Sequence, residues 1–549
     1  MHPIGGVKVG KLTETVDNSI IEINSKMSPA PVTLTFHGNL SACDPQATPI
    51  LILGQLKNLK KVPYEDIKLK LEPRVTKELY DGVLSTLHPS PTDSCSLYMN
   101  HATLAALPSK CSRHNTPSRA HSITKLVKNS LPGVEDFVVI ICETIDVFAS
   151  ACAVARAFPI FNRKTNLPKN TISPRQVACE FHLIGEGSEE NLTPSDIDCL
   201  TDLSNAIRLS ARIVDTPCNE MNTDHFIKEI QDVGKSVGIT PTIIRGEKLD
   251  ELGFGGIYGV GKAAANPPAL VILSHTPEGA KHTVAWVGKG IVYDTGGLSL
   301  KSRTAMPGMK NDCGGAAAIL GAFQVAVKHG FTNNLHAVFC LAENAIGPTA
   351  TRPDDIHTLY SGRSVEINNT DAEGRLVLGD GVSYAHKDLK ANVIVDMATL
   401  TGAQGSATGK YHSAVITNSE DWEKAAVIAG KISGDLVHPL PYAPDLHFSE
   451  FASAVADMKN SVADRGNAQS SCAALFIASH IGFDYPGVWI HFDIAAPVTF
   501  GERATGYGVA LLSSLFGHVS SSPFLKSVSA LGQPNGNSIE NANKKIRLA

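Results

Sequence analysis

Seven ionisable residues stand in stretches of this chain that are otherwise apolar and rich in glycine: Lys289, Asp294, Lys301, Asp312, Asp371, Glu373 and Arg375. Most lie in Val287-Gly-Lys-Gly-Ile-Val-Tyr-Asp-Thr-Gly-Gly, Asn311-Asp-Cys-Gly-Gly and Asn369-Thr-Asp-Ala-Glu-Gly-Arg-Leu. Burying carboxylates and amines among apolar neighbours is costly unless something compensates the charge. A fold that accepts this segment has to bring the charges together, and a pair of divalent cations would balance them.

The pattern around the cluster is α/β. Between Val32 and Phe181, apolar runs such as Thr48-Pro-Ile-Leu-Ile-Leu and Phe137-Val-Val-Ile-Ile-Cys read as buried strands, and 145–158 reads as an Ala-rich helix. This alternation predicts a mainly parallel sheet with helices on its faces. Residues 158–174, with three prolines, read as a surface connection. Thr193-Pro-Ser-Asp opens an amphipathic helix reaching Val214, with Ser195 or Asp196 as its cap. A second α/β pattern follows, with strands expected at 269–273, 284–287, 336–341, 393–397 and 488–492 and helices at 316–328, 376–386 and 469–481. The division expected is a loose N-terminus (1–30), an N-terminal α/β domain (31–190), a linking helix (191–214), a larger C-terminal domain (215–519) and a disordered polar tail (520–549).

Composition narrows the function classes. Of 549 residues, 43% are hydrophobic and 18% charged, an ordinary globular balance. A net charge of −5 provides no basic field for nucleic acid or an anionic membrane, and Lys544-Lys-Ile-Arg reads as a solvated tail. The 11 cysteines have no metal-knuckle spacing and mostly sit in apolar runs, as free thiols of a reducing compartment do. The first residues lack the apolar core of a signal peptide, and no apolar stretch reaches the ~20 residues needed to span a bilayer. A soluble cytoplasmic protein is expected. Gly255-Gly-Ile-Tyr-Gly-Val-Gly-Lys mimics a phosphate loop but lacks its spacing and its final Ser or Thr.

Asp294, Asp312, Asp371 and Glu373 fall at expected strand ends or strand-to-helix turns, where open α/β sheets gather their sites. Hard oxygen ligands suit Mg²⁺, Mn²⁺ and catalytic Zn²⁺. Four carboxylates without histidine exceed the needs of one zinc and fit two ions roughly 3.5–4 Å apart, bridging a water that becomes hydroxide near neutral pH. Lys289 and Lys301 can each act in one of two ways: as a neutral amine that coordinates metal, or as an ammonium that stabilises an oxyanion. Arg375 keeps its charge and suits a small anion such as bicarbonate. Taken singly these residues read otherwise: an Asp at a strand end as a helix cap, a lysine as solvated, an arginine as an ion-pair partner. Their coincidence in one glycine-rich region outweighs those readings.

At the octapeptide Asn369-Thr-Asp-Ala-Glu-Gly-Arg-Leu the chain resembles the leucyl aminopeptidases, the M17 metallopeptidases. The resemblance includes Thr216-Pro-Cys-Asn-Glu-Met-Asn, Asp294-Thr-Gly-Gly-Leu-Ser-Leu-Lys, Glu343-Asn, Ala398-Thr-Leu-Thr-Gly-Ala, Ala456-Asp-Met-Lys-Asn and Trp489-Ile-His-Phe-Asp-Ile-Ala, and covers about 200–515. It implies a small macro-like N-terminal domain and a larger catalytic domain with a mixed, mainly parallel sheet. It implies a metallo-aminopeptidase that removes apolar, Leu- or Met-like first residues from peptides through a metal-bridged hydroxide. Lys289, Asp294, Asp312 and Glu373 match the ligands of one metal; Asp294, Asp371 (side chain and carbonyl) and Glu373 match those of the other, with zinc or manganese as the ions and magnesium as a further option. Lys301 matches the lysine that polarises the peptide carbonyl, and Arg375 the arginine that holds a bicarbonate general base. Leu400 matches the residue whose carbonyl meets the substrate, and Met309, Thr399 and Gly402 the wall of the first side-chain pocket. A homohexamer is implied as well.

The segment after Glu343-Asn departs from the family, with Asp354 where many members have glycine. With the divergent N-terminal third, this points to the animal "probable aminopeptidase-like" branch. Two other functions fit a chain of this pattern: an inactive scaffold or binding protein on the same fold, and a DNA-binding regulator of the kind some bacterial members are. The intact cluster argues against the first and the missing basic stripe against the second.

Overall fold

The computed structural model describes residues 32–131, 135–165, 175–185 and 191–531; the expected loose N-terminus and most of the expected tail lie outside them. Strands β1 (Thr33–His37), β2 (Ile50–Gln55), β3 (Asp93–Tyr98), β4 (Ala102–Leu107), β5 (Glu135–Cys142) and β6 (Gln176–Leu183) form a first sheet in the order β1-β6-β5-β2-β4-β3. All its pairings are parallel except that of β3 with β4. Every residue of β2 is buried, which is why that run carries no polar alternation.

The helix Pro194–Asp215 joins this domain to the next. Its cap is Thr193, not Ser195 or Asp196: the Thr193 hydroxyl accepts the Asp196 N–H while the Asp196 carboxylate accepts the Thr193 N–H. Proline at the first helical position needs no hydrogen bond there, so the helix starts two or three residues earlier than those caps would set. Leu203 and Ile207 from this helix enter one core with Phe148, Val154 and Phe181 of the first domain and Val325 and Val509 of the second. Arg156 and Asp435 add a buried ion pair of 2.6 Å across the same junction.

The second domain contains β7 (Thr242–Arg245), β8 (Ala269–His275), β9 (Thr283–Asp294), β10 (Asn334–Asn344), β11 (Ile356–Thr358), β12 (Ser364–Glu366), β13 (Val393–Ala398), β14 (Ser413–Thr417), β15 (Val437–Pro439), β16 (Met458–Lys459) and β17 (Val488–Asp493). Eight of them make one mixed sheet, β15-β14-β17-β13-β9-β10-β8-β7, whose four central strands β17, β13, β9 and β10 are parallel. The architecture is thus the expected two-domain α/β one, with longer strands than the apolar runs alone predict. β9 extends seven residues beyond 287 because Gly288 and Gly290 let the helix Gly314–Lys328 press directly on it: a Cβ on Gly288 would lie 2.6 Å from the Ala316 Cα. Gly315 of that helix sits closer still, its Cβ position 1.9 Å from the Met397 carbonyl oxygen.

One local expectation changes. The tail does not begin at 520: Pro523–Ser527 is a helix whose Phe524 and Leu525 are buried in the shared core. The glycines of 255–261 serve close packing rather than phosphate binding; a Cβ on Gly255 or Gly256 would strike the Thr358 or Leu376 carbonyl at 2.2 or 2.3 Å. Asp354 has φ of 74°, a left-handed conformation in which glycine is the easy choice and Asp among the better alternatives. Among the described residues no helix is long and apolar enough to cross a membrane.

His480, at the end of the helix Gln469–Ser479, shares one hydrogen bond of 2.7 Å between its Nδ1 and the Ser361 hydroxyl and is otherwise enclosed, with Nε2 unpartnered among the described residues. Burial pushes its pKa down to about 3. The unfolded chain takes up this proton below about pH 6.5 and the folded one does not, so stability is flat above that pH and falls as pH drops toward 3. From pH 7 to pH 5 this one residue costs about 2 kcal/mol. The variant H480Q is expected to lose less stability than the wild type over that interval, as read by urea melts at the two pH values.

Candidate metal centre

The C-terminal ends of the parallel strands converge on the charged cluster. β9 supplies Lys289 and Asp294, β10 ends in Asn344, β13 leads into Thr399 and Leu400, and β17 ends in Asp493. Asp312 lies in the turn Met309–Cys313 before the helix Gly314–Lys328, and Glu373 occupies the N-cap position of the helix Gly374–Lys387. This is the crevice that parallel α/β sheets open at their carboxyl edge.

Carboxylate oxygens of Asp294, Asp371 and Glu373 all lie within 4.8 Å of one another. Lys301 Nζ sits 2.8 Å from Asp294 Oδ2 and 2.5 Å from Asp371 Oδ1. Lys289 Nζ lies 2.7 Å from Asp312 Oδ1 and 2.9 Å from Glu373 Oε1, and donates to the Thr399 carbonyl at 2.8 Å. The Thr399 hydroxyl donates to Asp312 Oδ1 at 2.8 Å, and the Asn344 amide and Gly296 N–H both donate to Asp294 Oδ1 at 2.8 Å. Gly374 is required here, since a Cβ would meet Lys289 Nζ at 2.7 Å.

The electrostatics are those of a site short of positive charge. Burial alone would lower the Lys289 ammonium, but Asp312, Glu373 and Asp294 outweigh it and hold it above the usual lysine range. Lys301 is raised in the same way, burial opposing and Asp294 and Asp371 prevailing. Burial, then repulsion from Asp294, pushes the Glu373 carboxyl up to about 8. Asp312 and Asp371 are also raised, burial first. Four carboxylates face two ammonium groups, and the buried Asp312 Oδ2 has no hydrogen-bond partner among the described residues. This donor set fits divalent cations: the oxygens are hard, close together and incompletely neutralised.

Arg375 is buried, donates to the Asn460 carbonyl at 3.1 Å and leaves Nε without a partner among the described residues. Burial lowers its guanidinium to about 10, still cationic at neutral pH. Of the expected pocket residues, Thr399 is tied directly to Lys289 and Asp312, the Leu400 N–H is held by Asp493 at 3.1 Å, Met309 opens the Asp312 turn, and Gly402 starts the exposed helix Gly402–Thr408. Cys218 and Cys313 flank the region, but burial pushes both thiols up to about 12, so neither is a nucleophile near neutrality. His491 is only half satisfied: Nδ1 meets Asp396, while Nε2 is buried without a partner among the described residues.

Asn344, Asn460 and Asp493 organise this site without having been assigned a role from sequence. Each lies in a motif quoted above (Glu343-Asn, Ala456-Asp-Met-Lys-Asn, His491-Phe-Asp), and that is the signal that could have found them.

A model described as "Cytosol aminopeptidase family, catalytic domain" matches residues 208–513, and one described as "M17 aminopeptidase N-terminal domain 2" matches 48–167. A relative from Mus musculus, "Probable aminopeptidase NPEPL1", is 66% identical over 503 residues, covering 91% of this chain and 96% of that protein. "Leucine aminopeptidase 1" of Caenorhabditis elegans is 45% identical over 489 residues, 87% of this chain and 96% of its own length. The solved structure of C. elegans leucine aminopeptidase (LAP1) aligns with a TM-score of 0.84 at 42% identity, over 90% of this chain and 100% of that one. Leucyl aminopeptidase from Trypanosoma brucei in complex with bestatin aligns with a TM-score of 0.79 at 34% identity, over 91% and 99%.

Proposed function

Because the chain belongs to the cytosol aminopeptidase (M17) family and is a metal-dependent aminopeptidase of peptides, we propose a dinuclear centre that removes apolar first residues. The observation that carries this reading is the charge deficit: three carboxylates with oxygens within 4.8 Å, a fourth with an unpartnered buried oxygen, and only two ammonium groups. Asp294, Asp312, Asp371 and Glu373 would hold the ions, joined by Lys289 once a cation displaces its proton. When bound, zinc or manganese ions supply Lewis acidity that activates water near neutral pH and polarises the scissile carbonyl.

The remaining work falls to the chain itself. Lys301 keeps its proton beside Asp294 and Asp371 and donates to the carbonyl oxygen as negative charge develops there. Arg375, cationic at neutral pH, would hold a small anion of bicarbonate size, which would supply general-base chemistry beside the cluster. The Leu400 carbonyl accepts from the substrate α-amine, its peptide plane held by the Thr401 N–H, which donates to Asp493 Oδ1 at 3.4 Å. Met309, Thr399 and Gly402 border the first side chain, and a Cβ at Gly402 would meet no atom within 4 Å, which leaves room for Leu or Met. A cytoplasmic homohexamer completes the reading, supported by the 11 free thiols for the compartment and by family membership for the assembly.

The test is turnover of Leu-, Met- and Glu-anilides after loading with Mn²⁺ or Zn²⁺, with metal measured per protomer. Two ions per protomer are expected, with Leu and Met cleaved at least about tenfold faster than Glu. One ion at full activity would sink the dinuclear reading; equal or faster cleavage of Glu would sink the apolar pocket.

A further inference from the structure

The octapeptide loop is held by a side chain from a segment some ninety residues away. β16 pairs in parallel with β12, and beyond it Asn460 continues the ladder, its N–H donating to the Glu366 carbonyl at 3.0 Å. The Asn460 side chain, 0% exposed, uses its whole amide on the octapeptide and the residue before it. Its Oδ1 accepts from the Asn368 and Asn369 N–H groups at 2.9 and 3.2 Å. Its Nδ2 donates to the Asn369 and Ala372 carbonyls at 2.6 and 3.2 Å. Its own carbonyl takes the Arg375 guanidinium.

A pattern follows for the loop carbonyls. Those of Asn369 and Ala372 are engaged by Asn460, that of Thr370 by the Asn344 amide at 3.1 Å, and that of Glu373 by the N–H groups of Leu376 and Val377. The Asp371 carbonyl alone in this run receives no hydrogen bond from the described residues. We propose that Asn460 is a positioning residue for the reaction: its amide fixes the loop so that the Asp371 carbonyl is kept for a cation while its main chain holds Arg375 in place. With its neighbours all engaged, the Asp371 carbonyl is the main-chain acceptor of this run left available to a ligand. Removing an outer-shell partner of this kind costs metal affinity or activity by roughly 10–100-fold.

This inference rests on the dinuclear reading above. The experiment compares wild type, N460A, N460D and N368A. The Asn368 side chain bonds only Ser461 in the same ladder, so N368A loosens the segment without touching the loop carbonyls. Mn²⁺ is titrated calorimetrically into metal-stripped protein, and kcat and KM for Leu-anilide are measured on reloaded enzyme. N460A and N460D are expected to weaken the affinity of one ion by roughly 10–100-fold and to lower kcat by about 10²-fold, with KM within about threefold, whereas N368A lowers the melting temperature alone. N460D keeps the volume and the accepting Oδ1 and replaces the donating amide with a charged oxygen that faces the Asn369 and Ala372 carbonyls, so it decides the matter if N460A does not fold. Affinity within about twofold of wild type in N460D, or an equal loss in N368A, overturns the proposal. A wild type that binds no Mn²⁺ overturns instead the dinuclear reading beneath it.

Discussion

Lys301→Ala is expected to lower kcat by roughly 10³-fold while the metal content stays at the wild-type level. The side chain is 15% exposed and its ammonium contacts two carboxylates, so its removal uncovers acceptors without opening a core cavity. Loss of one donor aimed at a developing oxyanion typically costs about 10²–10³-fold in kcat, and here the donor also carries full charge. KM should change little, because the interaction strengthens only as the carbonyl becomes tetrahedral. Arginine in its place keeps the charge but spreads it over a planar fork that cannot sit between Asp294 and Asp371 as a compact ammonium does, so K301R should recover little of the rate. Single-turnover kinetics on Leu-anilide with metal analysis of the same sample makes the check. Turnover within about tenfold of wild type would remove Lys301 from the chemistry.

The second large effect is on stability. Lys289→Met is expected to destabilise the metal-free protein by ~3–5 kcal/mol, since it strips the only ammonium from between Asp312 and Glu373 deep in the domain. Methionine fills similar volume, so the penalty is that of two buried carboxyls left without a counter-charge. Added Mn²⁺ restores positive charge at the same oxygens, so the loaded variant should lie closer to loaded wild type than the two stripped proteins do. Urea melts of the four samples read this directly. If the stripped variant is as stable as stripped wild type, the ammonium was not compensating those carboxyls.

Much of this was legible beforehand, for a physical reason. Central parallel strands are buried on both faces, so β9, β10, β13 and β17 announce themselves as apolar runs, and charges inside such runs are conspicuous. The carboxylates and lysines could therefore be read as one site before any coordinate. What escaped was what two distant segments do to each other. Asn460 and the loop it holds are 91 residues apart, and an asparagine among asparagines carries no local sign of making four bonds. Thr193 escaped for a smaller reason: the cap precedes the apolar stripe, and the reciprocal bond with Asp196 shows only once both ends are seen. The helix Pro523–Ser527 escaped because its buried pair, Phe524 and Leu525, is short and surrounded by serine.

The core shared by the two domains has a consequence for how such a chain can change. Leu203, Ile207, Val325 and Val509 pack against Phe148, Val154 and Phe181, with Arg156 and Asp435 sealed among them. An N-terminal domain whose main core is shared with the catalytic half is not a detachable module. Its outer strands can diversify freely, whereas its inner helix is bound to the catalytic half as a tenon is to its mortise: a change on one side calls for a matching change on the other, and a graft from a relative must carry both surfaces together.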